Sequence, residues 1–217
     1  MLDFCEFFAA RTSAGLLLVL TAPLQLLIAM AVGVEGGFPI LFRQTRVGQH
    51  GRHFELLKFR SMRQHNSGLR ITASGDPRVT RVGGWLRRYK LDELPQLWNV
   101  LRGDMAFLGP RPEVPEYVDP QTLVWQTVLS VRPGITDLAT LLYRNEEELL
   151  ARSTDPDALY REQVLPAKLA LHIHYIEMRS PWHNAKVLFL SGLYSFIPRL
   201  YEEARVRRMV FREKVLE

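Results

Sequence analysis

The chain has 217 residues, 47% hydrophobic and 24% charged, with a formal net charge of +5. That is enough for one ordinary domain with a real core and excludes a disordered polymer. The positive balance favours anionic partners such as phosphates or acidic lipid headgroups, and a single cysteine, Cys5, excludes an internal disulfide and points to a reducing compartment.

Thr12 to Val34 carries no charged residue. Its 23 residues would reach roughly 35 Å as a helix, against a hydrocarbon core of about 30 Å. Pro23 sits at its middle between Thr21 and Gln25, so a kink or break is expected there. Thr and Gln side chains can re-satisfy backbone groups that proline frees. Three outcomes stay open: a broken helix that re-enters the same leaflet, a kinked span, and a signal peptide cleaved near Ala29-Met30-Ala31.

Glu35-Gly36-Gly37-Phe38-Pro39 reads as a loop. Short strands are expected at Ile40-Leu41-Phe42 and Phe54-Glu55-Leu56-Leu57, joined through Gly48-Gln49-His50-Gly51 as a hairpin. Alternation past the second strand puts Lys58 and Arg60 on one face, where two cations can hold a diphosphate. Gln64 to Asp76 reads as a polar surface loop, and Val79 to Tyr89 as a helix.

Leu91-Asp92-Glu93-Leu94-Pro95-Gln96-Leu97 then places two adjacent carboxylates where a helix should begin, with Gly103 as its stop. A helix N-terminus welcomes phosphate. Arg87, Arg88, Lys90, Arg102 and Arg111 surround the pair. Such a set suits metal-assisted chemistry on a phosphate ester. Taken alone, such a pair is more often only a cap and a first-turn decoration.

Pro110 and Pro112 fix the backbone on either side of Arg111, pre-organising its guanidinium for phosphate or carboxylate. Asp155-Pro156 opens a long helix over Leu159 to Met178 with a kink expected at Pro166. On it His172 and His174 lie about 200° apart, a poor metal pair. Trp182 to Phe196 is apolar, and Arg199 to Lys214 reads as a cationic helix with interspersed apolar residues. No nucleic-acid motif is present.

Taken in order, these motifs resemble the bacterial sugar transferase family, the monotopic phosphoglycosyltransferases that act on polyprenyl phosphate. The resemblance runs from about Leu16 to about Leu188. It rests on the Pro23 segment, Arg46-Val47-Gly48, Lys58-Phe59-Arg60-Ser61-Met62, Leu86-Arg87 before the Asp92-Glu93 motif, Asn99 to Met105, Gly109-Pro110-Arg111-Pro112 and Pro133-Gly134-Ile135-Thr136.

The resemblance implies an α+β, mainly helical fold. It would have a broken re-entrant membrane helix over residues 1–37, a small hairpin, a cytoplasmic catalytic domain over 38–198 with amphipathic surface helices, and a basic C-terminal helix over 199–217. It implies transfer of a sugar 1-phosphate from a UDP-sugar to polyprenyl phosphate at the inner membrane, with release of UMP. Asp92 would be the nucleophile and hold Mg2+, with Glu93 completing the dyad. Lys58, Arg60, Arg87 and Arg111 would face phosphate, and a homodimer is allowed. The chain departs from the family's usual residues before the hydrophobic segment, at Asp137 (often Gly) and at His172 (often Asp). The competing expectation is a non-enzymatic, basic membrane-surface module in an envelope assembly.

Overall fold

The computed structural model describes residues 2–63 and 75–210. The stretch expected as a loop from Gln64, and residues 211–217 at the end of the basic segment, lie outside the described residues.

The chain begins with helix α1, Leu2–Gly36. The expected break at Pro23 does not divide it: one helical element passes through the proline. Local side chains support the backbone there. Thr21 Oγ1 donates to the Leu17 carbonyl at 2.6 Å, and Gln25 Nε2 donates to Thr21 Oγ1 at 2.9 Å. This kind of back-bonding lets a helix bend without ending.

Both halves of α1 pack on the rest of the domain. Ala10 and Ala14 join Leu56, Val100, Leu101 and Met105, while Ile28 and Val32 join Phe59 and Leu86. Between these anchors Leu16, Val19, Leu20, Leu26 and Leu27 are exposed. A contiguous apolar surface of that kind marks an interaction face.

Strands β1 (Leu41–Val47) and β2 (His53–Phe59) pair antiparallel, with Leu41 opposite Phe59 and Val47 opposite His53. A 3-10 turn, Gln49–Gly51, closes the hairpin, with His50 and Gly51 at positive φ. The hairpin is the expected one, with longer strands.

Helix α2 (Arg81–Arg88) follows. Its N-terminus is held twice: Thr80 Oγ1 accepts from the Gly83 N–H, and the Glu35 carboxylate of α1 accepts from the Arg81 and Val82 N–H groups at 2.8 and 2.7 Å. Helix α3 (Gln96–Arg102) stops at Gly103, whose φ of 92° needs a glycine. Asn99 of α3 ties it to β2, accepting from the Leu57 N–H and donating to the Glu55 carbonyl.

Strand β3 (Ala106–Leu108), helix α4 (Leu123–Leu129) and strand β4 (Gly134–Thr136) come next. β3 and β4 pair in parallel, an element the sequence did not suggest. Their approach is so close that a side chain on Gly134 would strike the Gly109 backbone.

Helices α5 (Leu138–Leu142), α6 (Glu146–Leu150) and α7 (Pro156–Leu159) are short. Asp155 caps α7 and Pro156 opens it, as the sequence indicates. A π-helical segment, Tyr160–Val164, runs on from α7 into α8 (Leu165–Met178) without a break, so the long helix expected from sequence forms, with its irregularity just ahead of Pro166. Helix α9 (Pro181–Phe196) buries Val187, Leu190 and Tyr194 and exposes Trp182, Phe189 and Phe196. Helix α10 (Glu203–Val210) packs through Val206, which is fully buried. One core cluster joins α4, the π-helical segment and α8; another joins α5, α8, α9 and α10.

Gly83 tests how tightly α2 is docked. Alanine there would gain about 1 kcal/mol of helix propensity, yet its Cβ would run into the Ser61 backbone. Overpacking against backbone costs about 1–3 kcal/mol. Gly83→Ala is therefore expected to lower the unfolding temperature, measured by thermal unfolding in detergent; an increase would mean that α2 is loosely held.

Candidate active site

Asp92 and Glu93 lie in a 3-10 turn, Leu91–Glu93, ahead of α3. Lys90, at φ 57°, turns the chain into it, and Pro95 is the residue that caps α3. Asp92 therefore caps nothing, contrary to the expectation from sequence. The N–H groups of Glu93, Leu94, Leu97 and Trp98 already donate to carbonyls three residues back. The anion-attracting character of this region comes from side-chain cations, not from free helix N–H groups.

The two carboxylates have opposite surroundings. Glu93 Oε1 accepts from Lys58 Nζ at 3.1 Å and from Arg111 Nη2 at 2.6 Å, while Oε2 accepts from Arg111 Nη1 at 3.3 Å. Burial pushes the Glu93 pKa up, but Arg111 and Lys58 outweigh it and hold the carboxyl well below the usual range. Asp92 is 6% exposed, and its Oδ1 is buried with no hydrogen-bond partner among the described residues. Burial pushes its pKa up and neighbouring Glu93 adds to that, while Lys58 opposes. Asp92 is thus a desolvated carboxylate. Burial also lowers the Lys58 pKa, against the pull of Glu93.

Lys58 and Arg111 therefore join the acidic pair. Arg111 is also seated on the Ile135 carbonyl of β4 at 3.1 Å. Arg87 reaches the electrostatic neighbourhood of Asp92 and pairs with Glu147 of α6. Arg60 does not join the group. Its guanidinium donates to the carbonyls of Gly36, Gly37 and Phe38, clamping the exit of α1.

Several partners escaped the sequence reading. Glu113 lies between Arg46, at 3.6 Å, and Lys168, at 3.4 Å, and accepts from the Tyr160 hydroxyl. Lys168 also pairs with Glu146 at 3.1 Å. The signal available was a lone lysine inside an apolar helical run, which needs a buried partner.

Residues 4–196 match the Bacterial sugar transferase family. The chain belongs to that family. It is 40% identical over 189 residues to an undecaprenyl-phosphate glucose phosphotransferase of Komagataeibacter xylinus, covering 83% of this chain and 34% of the relative. Over 181 residues it is 40% identical to a UDP-glucose:undecaprenyl-phosphate glucose-1-phosphate transferase of Caulobacter vibrioides, covering 81% and 64%. Over 136 residues it is 40% identical to a UDP-N-acetylgalactosamine-undecaprenyl-phosphate N-acetylgalactosaminephosphotransferase of Aeromonas hydrophila, covering 60% and 32%. The chain thus spans about a third to two thirds of the length of these relatives.

In this member of the sugar transferase family, Asp137 and His172, the two positions expected from sequence to depart from the family pattern, are in contact. His172 Nδ1 lies 2.5 Å from Asp137 Oδ2, and both residues are buried. Asp137 also caps α5, accepting from the Thr140 N–H and hydroxyl. Of the two histidines on α8, His172 is packed and His174 is half-buried.

Replacing each carboxylate of the dyad by its amide should move stability in opposite directions. Glu93→Gln leaves two buried cations under-compensated and is expected to cost about 3–5 kcal/mol at pH 7. Asp92→Asn removes an unpartnered buried charge and is expected to raise the unfolding temperature. The pH dependence follows from the signs. Glu93 titrates lower in the folded protein, so its contribution is present above the ordinary carboxylate range and lost as pH falls through its folded value. Asp92 titrates higher when folded, so its penalty at neutral pH fades as pH falls. Thermal unfolding of the three proteins, from pH 7 down to below the ordinary carboxylate range, checks both; a stabilised Glu93→Gln would refute the pairing.

Proposed function

We propose that this protein transfers a sugar 1-phosphate from a UDP-sugar to polyprenyl phosphate, releasing UMP, as the first membrane step of a surface glycan pathway. The observation that carries this reading is Asp92 Oδ1: a buried carboxylate oxygen with no hydrogen-bond partner among the described residues, beside a cluster of cations.

The chemistry is in-line displacement at phosphorus in two steps. Asp92 attacks the phosphorus that bears the sugar, the bond to the bridging oxygen breaks, and UMP leaves with that electron pair. An oxygen of the lipid phosphate then attacks the same phosphorus and frees Asp92. A desolvated carboxylate with a raised pKa is the better nucleophile of the dyad. Glu93 does not attack; it holds Lys58 and Arg111 in place for the transferring group. Arg87 reaches the diphosphate by exchanging Glu147 for it, and Glu147 is half-exposed and free to yield.

A divalent cation fits this donor set. The free oxygen of Asp92 is a hard ligand, and Glu93 is engaged by cations. Among the described residues no cluster of three or more His, Cys, Asp or Glu forms, so Mg2+ would be held by Asp92 with substrate phosphates. When bound, it would offset charge on the phosphoryl group.

The same proposal places the domain at the cytoplasmic face of the inner membrane, with α1 entering and leaving on one side. Support comes from the two halves of α1. Phe7, near its start, lies under the Arg132 guanidinium at 4.4 Å, and Glu35, near its end, caps α2. A helix crossing fully would carry one end away from the domain. The relatives' names include glucose and N-acetylgalactosamine.

Two measurements test the proposal. Membrane-inserted protein with Mg2+, polyprenyl phosphate and a panel of UDP-sugars is expected to release UMP, and Asp92→Asn is expected to reduce this by at least about 10³-fold. Liposome binding indifferent to Asp92→Asn, with no UMP from any sugar, would favour the non-enzymatic membrane module instead. For topology, Leu2→Cys and Phe38→Cys in a Cys5→Ser background are expected to label from the cytoplasmic side alone; labelling from opposite sides would establish a span.

A further inference from the structure

A buried ion pair and a buried carboxylate–imidazole contact bracket Arg111, and one helix makes both. On α8, Lys168 and His172 are four residues apart and share a face. Lys168 Nζ lies 3.4 Å from Glu113 Oε1, two residues beyond Arg111. His172 Nδ1 lies 2.5 Å from Asp137 Oδ2, two residues beyond Ile135, whose carbonyl receives Arg111 Nη1. Lys168 is 5% exposed, His172 1% and Asp137 0%.

Asp137 does more than cap α5. Capping uses Oδ1, which accepts from the Thr140 N–H at 2.8 Å and hydroxyl at 2.7 Å. Oδ2 is left over and is turned toward an imidazole from another helix. Next to it, the Thr136 and Ser191 hydroxyls meet at 2.8 Å, so the end of β4 is fixed from α8 and α9 together. The other edge of β4 is bound to the Arg111 loop: Gly109 N–H donates to the Thr136 carbonyl and Gly134 N–H to the Pro110 carbonyl. Burying an ion pair is an inefficient way to add stability, because desolvation offsets the attraction and apolar residues of similar volume serve as well. Its distinct property is fixed geometry, and here the geometry fixed is that of β4, whose Ile135 carbonyl accepts from Arg111.

We infer that Asp137 and His172 form a positioning pair for Arg111, locking β4 so that the Ile135 carbonyl seats the guanidinium that holds Glu93. The inference rests on the proposed reaction for its kinetic consequence, but its geometric content stands apart from it.

The test uses the full chain in detergent with ¹⁵N-arginine labelling, the Arg111 Nε–H resonance being assigned with Arg111→Lys. His172→Phe keeps ring volume and removes the pair; Asp137→Asn keeps a capping side chain and removes the charge. Each is expected to shift the Arg111 resonance. Well below each variant's unfolding temperature, kcat for UMP release should fall about 10- to 100-fold with KM for the UDP-sugar little changed. The double variant should be no worse than the more damaged single one, because the two residues act as a unit. His172→Gln, whose amide can still donate to Asp137, should restore most of the resonance position and rate.

An unmoved Arg111 resonance in a folded variant would overturn the inference, as would a loss confined to KM or a folded His172→Gln that restores nothing. Should His172→Phe fail to fold, Asp137→Asn and His172→Gln still decide it. If the wild-type protein releases no UMP from any UDP-sugar, the proposed reaction falls, and the resonance alone then decides the pair.

Discussion

The structure turns on one shared carboxylate. Glu93 receives both Lys58 and Arg111, and all three side chains are withdrawn from solvent. Each buried charge costs several kcal/mol in desolvation, and attraction repays that only where the geometry is good. Three separate segments must therefore arrive in register: β2 brings Lys58, the Gly109-Pro110-Arg111-Pro112 turn brings Arg111, and the turn before α3 brings Glu93. Asn99 couples two of these by bonding the β2 backbone, and β4 couples the third through the Ile135 carbonyl. With Asp92 ionised, the group holds two cations and two carboxylates. An incoming diphosphate adds negative charge, and this is the physical reason for Arg87 nearby and for a divalent ion in the proposed reaction.

The long apolar helix imposes the second constraint. Leu16, Val19, Leu20 and Leu26 are exposed, while the two halves of the helix are anchored in core clusters of the domain. Glu35 and Arg60 join that helix to the rest of the domain: one caps α2, the other grips the carbonyls just past α1. The turn that carries Asp92 and Glu93 is next in line, since Leu91 and Leu94 pack in the same cluster as Ile28 and Val32. The proposed reaction requires a soluble nucleotide sugar and a lipid phosphate to meet beside a lipid surface, and this cluster would be the mechanical link between that surface and the site.

Local features of the fold were legible in the sequence and distant ones were not. The hairpin, the Gly103 stop, the Asp155 cap and the helical segments follow from turn chemistry and periodicity within a few residues. Arg60 shows where such reasoning ends. Alternation holds only inside a strand, and β2 ends at Phe59, so Arg60 is released from the face shared with Lys58. Asp92 was misjudged as a cap because Lys90 at positive φ and Pro95 tighten the chain into a 3-10 turn, a backbone state that residue types alone do not reveal. The β3–β4 pair joins residues far apart in sequence through two glycines and leaves almost no periodic trace. Asp137 and His172 each looked like an isolated departure, since single-sequence reading has no means of seeing that they touch.

The dyad shows how environment divides two nearly identical groups. Asp92 and Glu93 are adjacent, both carboxylates, both buried, and in one turn. One more methylene lets Glu93 reach two cations, and its affinity for protons falls. Asp92, shorter and facing elsewhere, keeps an oxygen without a partner, and its affinity for protons rises. A carboxylate already satisfied by two cations would have to give up those bonds to attack phosphorus; an unsatisfied one gives up little and loses an unfavourable burial on forming the ester. The division of labour proposed here, Asp92 as nucleophile and Glu93 as scaffold, therefore follows from which side chain has something to lose. Exchanging the two residue types would put the longer arm in the wrong place for both tasks.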